Sequence, residues 1–404
     1  MRISMAVGLA GLWLAHPLFA LPYQQFVQCV SSKGSGPVCQ LDAGVYTVSA
    51  TIVVGRSNIT ILGTLKTSAR DTTLRRAPGF LGALAGDAYF AGTMLNGVTI
   101  QNLTFDGNRA QNKLDYTEYA PDVSIFAIKD IAFINCQFLN SPNTGLALYG
   151  GGTTGVAVNR SVFSNPVIYG LWSDALGDNS GITWQECATK KFVHNILVSN
   201  SVFTNAGEPA ILGNIIGLEL VNNVFSNNHS DSIPFNDDGG QIDLDVCTNN
   251  VVIWRNTFQN GAASPNGKVV DGLELHGTNM TIVDNTVKGN SGGGIEMDGA
   301  QHIYIANIDP KTGSFSNHNS GIKIAHSSPT FRQTAWITIE SAIASNNEQW
   351  AVWSDSSGTP KQPVDHLTIR NSCLAGNNMG PTFFKNLGTD VTLENNKTAG
   401  CGLK

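Results

Sequence analysis

Ile196-Leu-Val-Ser-Asn-Ser-Val-Phe203, Leu218-Glu-Leu-Val-Asn-Asn-Val-Phe225 and Val251-Val-Ile-Trp-Arg-Asn-Thr-Phe258 are three copies of one short pattern. Aliphatic side chains take the first and third places, a turn residue the fifth and Phe the eighth. Earlier copies run over Val98–Phe105, Ile131–Phe138 and Val156–Phe163, and weaker ones over 280–287, 302–308, 336–343, 367–374 and 391–398. Two residues after Phe comes Asn in consecutive copies: Asn140, Asn165, Asn205, Asn227 and Asn260. Alternation of this kind is the signature of a strand, whose successive side chains point to opposite faces. The Phe column recurs every 22 to 40 residues, so strands persist while loops vary. No single copy covers its own Phe and aliphatic face, so neighbouring copies must stack. The expected product is a parallel coil of strands with Phe stacked inside and Asn amides laddered from coil to coil. A variable period and the lack of a recurring Leu-x-x-Leu or Trp-Asp signature weigh against leucine-rich and propeller repeats.

After each Asn turn a second strand follows. The series is Gly145–Tyr149, Gly170–Asp174, Pro209–Gly213, Gly239–Asp245, Asp271–Gly277, Gly292–Gly299, Ser320–His326 and Trp350–Asp355. In the central four, Ile242/Leu244, Leu273/Leu275, Ile295/Met297 and Ile322/Ile324 share one face. Stacked in register, the outward first column reads Ala147, Trp172, Ile211, Asp243, Glu274, Glu296, Lys323, Val352. The second reads Tyr149, Asp174, Gly213, Asp245, His276, Asp298, Ala325, Ser354, and Trp353 falls in an inward register. Like charges on adjacent strands repel. A column of Asp243, Glu274 and Glu296 therefore calls for a compensating cation, a proton shared between carboxylates, or Lys323.

Composition agrees with a strand-built protein. Of 404 residues 43 are Gly and only 13% are charged, a poor basis for long helices. A net charge of −6 offers no basic footprint, so nucleic acid is not an expected partner. Residues 1–20 read as a signal peptide, with Arg2, an apolar run over Met5–Leu14 and a small-residue cleavage site at Leu18-Phe-Ala20. That run is too short to span a membrane. Residues 21–404 are then one secreted or periplasmic domain, expected to be a monomer, with a capping helix over Pro22–Cys29. Export permits disulfides. Cys29–Cys39, Cys373–Cys401 and Cys187–Cys247 are candidate pairs; buried free thiols are the other reading, and one of the seven Cys must remain over.

The repeat, together with the opening run Cys39-Gln-Leu-Asp-Ala-Gly-Val-Tyr-Thr-Val-Ser-Ala-Thr-Ile52, Asn58-Ile-Thr-Ile-Leu-Gly63 and Thr72-Thr-Leu-Arg-Arg76, resembles the pectate-lyase-like superfamily of right-handed parallel β-helix proteins. The resemblance implies an all-β, single-stranded right-handed parallel β-helix. It does not fix the chemistry, because this fold hosts several. Some lyases of the superfamily pair Ca²⁺ held by Asp/Glu with a Lys or Arg base a coil or two away. The matching expectation is a β-elimination lyase on a uronate polysaccharide, with Lys323 as base, His276 assisting, Asp243 and Glu274 in the catalytic column, and Asp245, Glu296 and Asp298 on Ca²⁺. Lys323 could act so only if its pKa fell. An inverting hydrolase using Asp243/Asp245 and Glu296/Asp298 is the alternative, since carboxylates two coils apart are separated by about twice the ~4.8 Å strand spacing. Its relatives among polygalacturonase-like enzymes carry Asn-Thr-Asp, Gly-His-Gly and Arg-Ile-Lys contexts that this chain lacks. A non-catalytic adhesin is the third reading. Substrate contacts are expected from Trp172 and Asp174 and from Asp237 and Asp238 in the polar loop 228–241.

Overall fold

The computed structural model describes residues 20–67, 71–80, 90–113, 120–174, 183–229, 239–261, 269–307, 319–325, 331–355, 363–385 and 387–399. The expected signal peptide lies outside them except for Ala20. Within them the repeats wind into three parallel sheets of 13, 9 and 12 strands, each coil giving one strand to each sheet through the middle of the stack. One coil is Val193–Ser199, Val202–Thr204 and Ile211–Gly213; the next is Ile215–Val221, Val224–Ser226 and Gly239–Leu244. The first-sheet strands carry the aliphatic pairs inward, as with Ile196 and Val198 over Leu218 and Leu220.

The Phe column forms the second sheet's inner face. Phe105, Phe138, Phe163, Phe203, Phe225 and Phe258 pair strand to strand. Their rings stack at centroid distances of 5.2, 4.4, 4.5, 4.9 and 4.8 Å, close to the spacing of the strands themselves. This stack also explains the small residue that opens several third-sheet strands. A Cβ at Gly170 would sit 2.9 Å from Phe203 Cδ1, so a larger side chain would push into the ladder.

Asn serves the fold in two ways. Asn140, Asn165, Asn205, Asn227 and Asn260 all have φ between 51° and 57°. Asn tolerates this left-handed conformation better than most residues. The expected ladder runs along part of this column, Asn205 Nδ2 donating to Asn165 Oδ1 at 3.0 Å and Asn165 Nδ2 to Asn140 Oδ1 at 3.3 Å. A second, buried ladder uses the residue just after the first-sheet turn. The Ser201 backbone N–H donates to Asn223 Oδ1, that of Asn223 to Asn256 Oδ1 and that of Asn256 to Asn285 Oδ1, at 2.9, 2.9 and 2.8 Å. Asn256→Ala would leave the buried Asn223 N–H and Leu220 carbonyl without these partners. The expected cost is about 1–3 kcal/mol, read as a fall in the urea midpoint.

A helix over Tyr23–Val30, one residue later than the expected Pro22–Cys29, lays Phe26 and Val30 over the first coil. Cys29–Cys39 staples it and Cys187–Cys247 forms as a second disulfide. Cys373 is also disulfide-bonded, and its expected partner Cys401 lies outside the described residues. Cys136 is the buried free thiol among the described residues. No described helix is long and apolar enough to cross a membrane.

Candidate active site on the third sheet

The central register is as expected: Asp243 pairs with Glu274, Glu274 with Glu296, and Glu296 with Lys323. Beneath them Ile242, Leu244, Leu273, Leu275, Ile295, Met297, Ile322 and Ile324 are fully buried. The flanks shift by one residue. Leu212, not Ile211, links Trp172 to Asp243, and Trp353, not Val352, pairs with Lys323. Ile211 and Val352 are buried on the inner face. In the second column Asn214 replaces Gly213, donating to Asp245 Oδ2 at 3.2 Å. Asp355 replaces Ser354 beside Ala325. Trp353 therefore faces outward, with Lys323 Nζ 5.9 Å from its ring.

His276 is almost wholly buried between carboxylates. Its Nε2 lies 3.1 Å from Glu274 Oε1 and 3.8 Å from Asp243 Oδ1, and its Nδ1 lies 2.8 Å from the Asp298 carbonyl oxygen. A carbonyl and an ionised carboxylate can only accept, so both ring nitrogens carry protons when both bonds are made. Burial alone would lower the His276 pKa. The hydrogen bond and charge of Glu274, the charge of Asp243 and the Asp298 carbonyl outweigh it and raise the pKa well above the usual imidazole range.

On this coil and the two after it, Asp271, Glu296 and Lys323 form a second group. Lys323 Nζ lies 2.5 Å from Glu296 Oε1. Asp271 is buried, hydrogen-bonded to Glu296, and accepts from the Gly293 backbone N–H. No side chain fits at Gly292, where a Cβ would meet Asp271 Oδ1. Burial first, then the charge and hydrogen bond of Glu296, lift the Asp271 pKa well above the carboxylate range. For Lys323, burial pushes the pKa down, but Glu296, Asp271 and Glu274 win and raise it. The lowered pKa that a Lys323 base requires is thus not found. Each carboxylate of the column thus has a neighbour: His276 lies against Asp243 and Glu274, Asp271 is hydrogen-bonded to Glu296, and Lys323 pairs with Glu296.

The remaining expected residues fall along the same sheet or outside the described residues. Asp298 is buried and meets His276 through its carbonyl. Trp172 is half-buried, edge-on to Tyr149 at 5.6 Å. Asp174 ends its strand in register with Tyr149. Asp237 and Asp238 lie outside the described residues. Asp271 and Phe331, whose ring stacks on His276 at 4.4 Å, lie at this face without having been expected there, and Trp353, an aromatic expected to turn inward, stands on it as well.

Among the described residues, the group whose ligand atoms converge as a metal site needs is Asp243, Glu274 and His276, all within 4.8 Å; Asp245, Glu296 and Asp298 do not make another. Calcium takes six to eight oxygens. Asp243 and Glu274 would supply carboxylate oxygens toward that number, with waters or further oxygens completing it.

The fold and this outward face make the chain a right-handed parallel β-helix protein. A right-handed beta helix region family model matches residues 131–309. Among solved structures, the A-module of mannuronan C-5 epimerase AlgE6 from Azotobacter vinelandii aligns at 14% identity with a TM-score of 0.63, covering 91% of each chain. A double mutant of the periplasmic alginate epimerase AlgG aligns at 13% and 0.59, covering 94% of this chain and 84% of that one. The catalytic unit of a GH87 alpha-1,3-glucanase from Streptomyces thermodiastaticus aligns at 13% and 0.52, covering 94% and 66%. At such identities the likeness is one of fold. No curated protein matches the sequence.

Proposed function

We propose that this protein is an exported enzyme that modifies an acidic polysaccharide by removing the proton α to a uronate carboxylate, with β-elimination as the outcome. The observation that carries the reading is the closeness on one face of two hydrogen-bonded groups, His276 with Glu274 and Asp271 with Glu296, beside the Lys323 ammonium. The Glu274–His276 dyad, once it has lost one proton, is the base. Lys323 is the cation that meets the uronate carboxylate as negative charge builds on it. The proton held between Asp271 and Glu296 passes to the departing glycosidic oxygen, which leaves with the C–O electron pair. Epimerase neighbours support the class of substrate, since C-5 epimerisation starts with the same abstraction. The disulfides support export.

A cationic Lys323 makes a prediction opposite to that of a Lys323 base. Lys323→Arg is expected to keep most activity, whereas Lys323→Gln should raise KM and lower kcat together. Complete loss in the Arg variant would return the base role to Lys323. Hydrolysis is the second reading, favoured by the protonated Asp271 beside ionised carboxylates. Incubation with a panel of polyuronates and neutral glucans separates the outcomes. Ultraviolet absorbance from a conjugated double bond marks elimination. Solvent deuterium at C5 without absorbance marks epimerisation, and new reducing ends without absorbance mark hydrolysis. Glycan binding with none of these would leave a non-catalytic module.

A further inference from the structure

Beside the charged column lies a small apolar cluster separate from the main core. Phe192, Val246 and Cys247 are buried in it, and Cys187, Ile216 and Phe331 pack against them. The Cys187–Cys247 disulfide joins a short 3₁₀ turn over Trp184–Ala188 to the residues just after Asp245. Arg332 ties the next segment to this cluster. Its Nη1 donates to the Val246 carbonyl at 2.6 Å, its Nη2 lies 3.7 Å from Cys187 Sγ, and its guanidinium sits 5.7 Å from the Trp184 ring. Thr334 Oγ1 fixes the other end, accepting from the Gly299 N–H at 2.8 Å and donating to the Ala325 carbonyl at 2.5 Å. Gly299 is required twice over. Its φ is +73°, and a Cβ there would fall 2.4 Å from Phe331 Cβ. Segment 331–334 can approach Asp298–Gly299 this closely only over a glycine.

What this clamp delivers is one ring. Phe331 lies on the His276 imidazole at 4.4 Å with 18° between planes. The imidazole must hold one orientation for Nδ1 to reach Asp298 and Nε2 to reach Glu274. Rotation by a few tens of degrees would trade both oxygens for water.

We infer that Phe331 is a positioning residue: clamped by Arg332, Thr334 and Gly299, it holds the His276 ring in the plane that keeps both of its oxygen partners and excludes water from them. Only the kinetic arm of the test rests on the proposed function. In protein labelled with ¹⁵N-histidine, at mildly acidic pH, His276 is expected to show two slowly exchanging ring N–H resonances, identified by their loss in His276→Gln. Phe331→Ala should erase both through exchange with water while the backbone spectrum stays folded, and Phe331→Tyr should restore them. If Phe331→Ala does not fold, Phe331→Leu, which keeps bulk but has no flat face, takes its place with the same expectation. In turnover, Phe331→Ala is expected to lose about 10²-fold in kcat with KM nearly unchanged, and Phe331→Tyr to recover most of it. Absence of the two resonances in the wild type, or their persistence in the Ala or Leu variant, overturns the inference whatever the activity. Resonances that behave as expected in a protein without turnover on any glycan would instead overturn the proposed function.

Discussion

Phe203→Ala is expected to destabilise the protein by about 3–5 kcal/mol, with a matching fall in the urea midpoint. Phe203 is fully buried at the middle of the ring stack, between Phe163 at 4.5 Å and 2° and Phe225 at 4.9 Å and 14°. In a solenoid each coil is held mainly by its two neighbours, so a defect in the middle weakens two interfaces. Phe258 offers the control. It stacks on Phe225 at 4.8 Å, but its other neighbour in register is Val287. Phe258→Ala should therefore cost less, by about 0.5–1.5 kcal/mol, the worth of one aromatic pair beyond burial. Equal losses at the two positions would mean that burial, not ring-on-ring contact, sets the cost.

The Phe column could be read from sequence because side-chain alternation is fixed by backbone geometry, and a Phe every coil is hard to place anywhere but inside. The charged column was readable for a related reason. In Ile242-Asp243-Leu244 and Ile322-Lys323-Ile324 the ionisable residue marks the outward side, and a slip of one would bury it. That marker is missing in Ala210-Ile211-Leu212 and Ala351-Val352-Trp353. All three residues are apolar in each, so alternation is invisible and the assignment slipped by one at Ile211 and Val352. Asp271 escapes such a reading because it falls in step with Leu273 and Leu275, so strict alternation assigns it to the inner face. Phe331 comes from a segment between coils, and no periodicity announces which coil it will cover. Arg76 is another such case. It lies fully buried, donating to the Ala120 and Pro121 carbonyls beside Asp122, although its run Thr72–Arg76 reads as an ordinary polar edge. The charge states of the site were out of reach as well. Whether Lys323 loses or keeps its proton depends on how near Glu296 and Asp271 come, and only coordinates supply that.

Glu274→Gln is expected to move the pH dependence of kcat toward acid and to lower its maximum by about 10²–10⁴-fold. In the wild type the active dyad is the form that has given up one proton, so kcat should rise as pH passes the raised His276 pKa and fall again once the proton held by Asp271 and Glu296 is lost. The sign for the variant follows from what sets that pKa. Burial opposes the imidazolium, and the hydrogen bond and charge of Glu274 are the largest of the effects that support it. A glutamine in place of Glu274 removes the charge while Asp243 and the Asp298 carbonyl remain, so burial gains weight and the inflection falls. The neutral imidazole is then more abundant at moderate pH, yet weaker as a base, and without a carboxylate to take up the proton beside it. Stability should shift in the same sense. A folded-state pKa above the unfolded value of 6.5 gives His276 a stabilising contribution that is whole below that pH and is lost as pH rises through the folded pKa. Glu274→Gln should therefore flatten the alkaline loss of thermal stability as well as displace the rate profile. A rate inflection that stays in place in Glu274→Gln but vanishes in His276→Gln would assign the titration to His276 alone and remove Glu274 from the base. An inflection that survives both substitutions would place the ionising group elsewhere on the face and end the dyad mechanism.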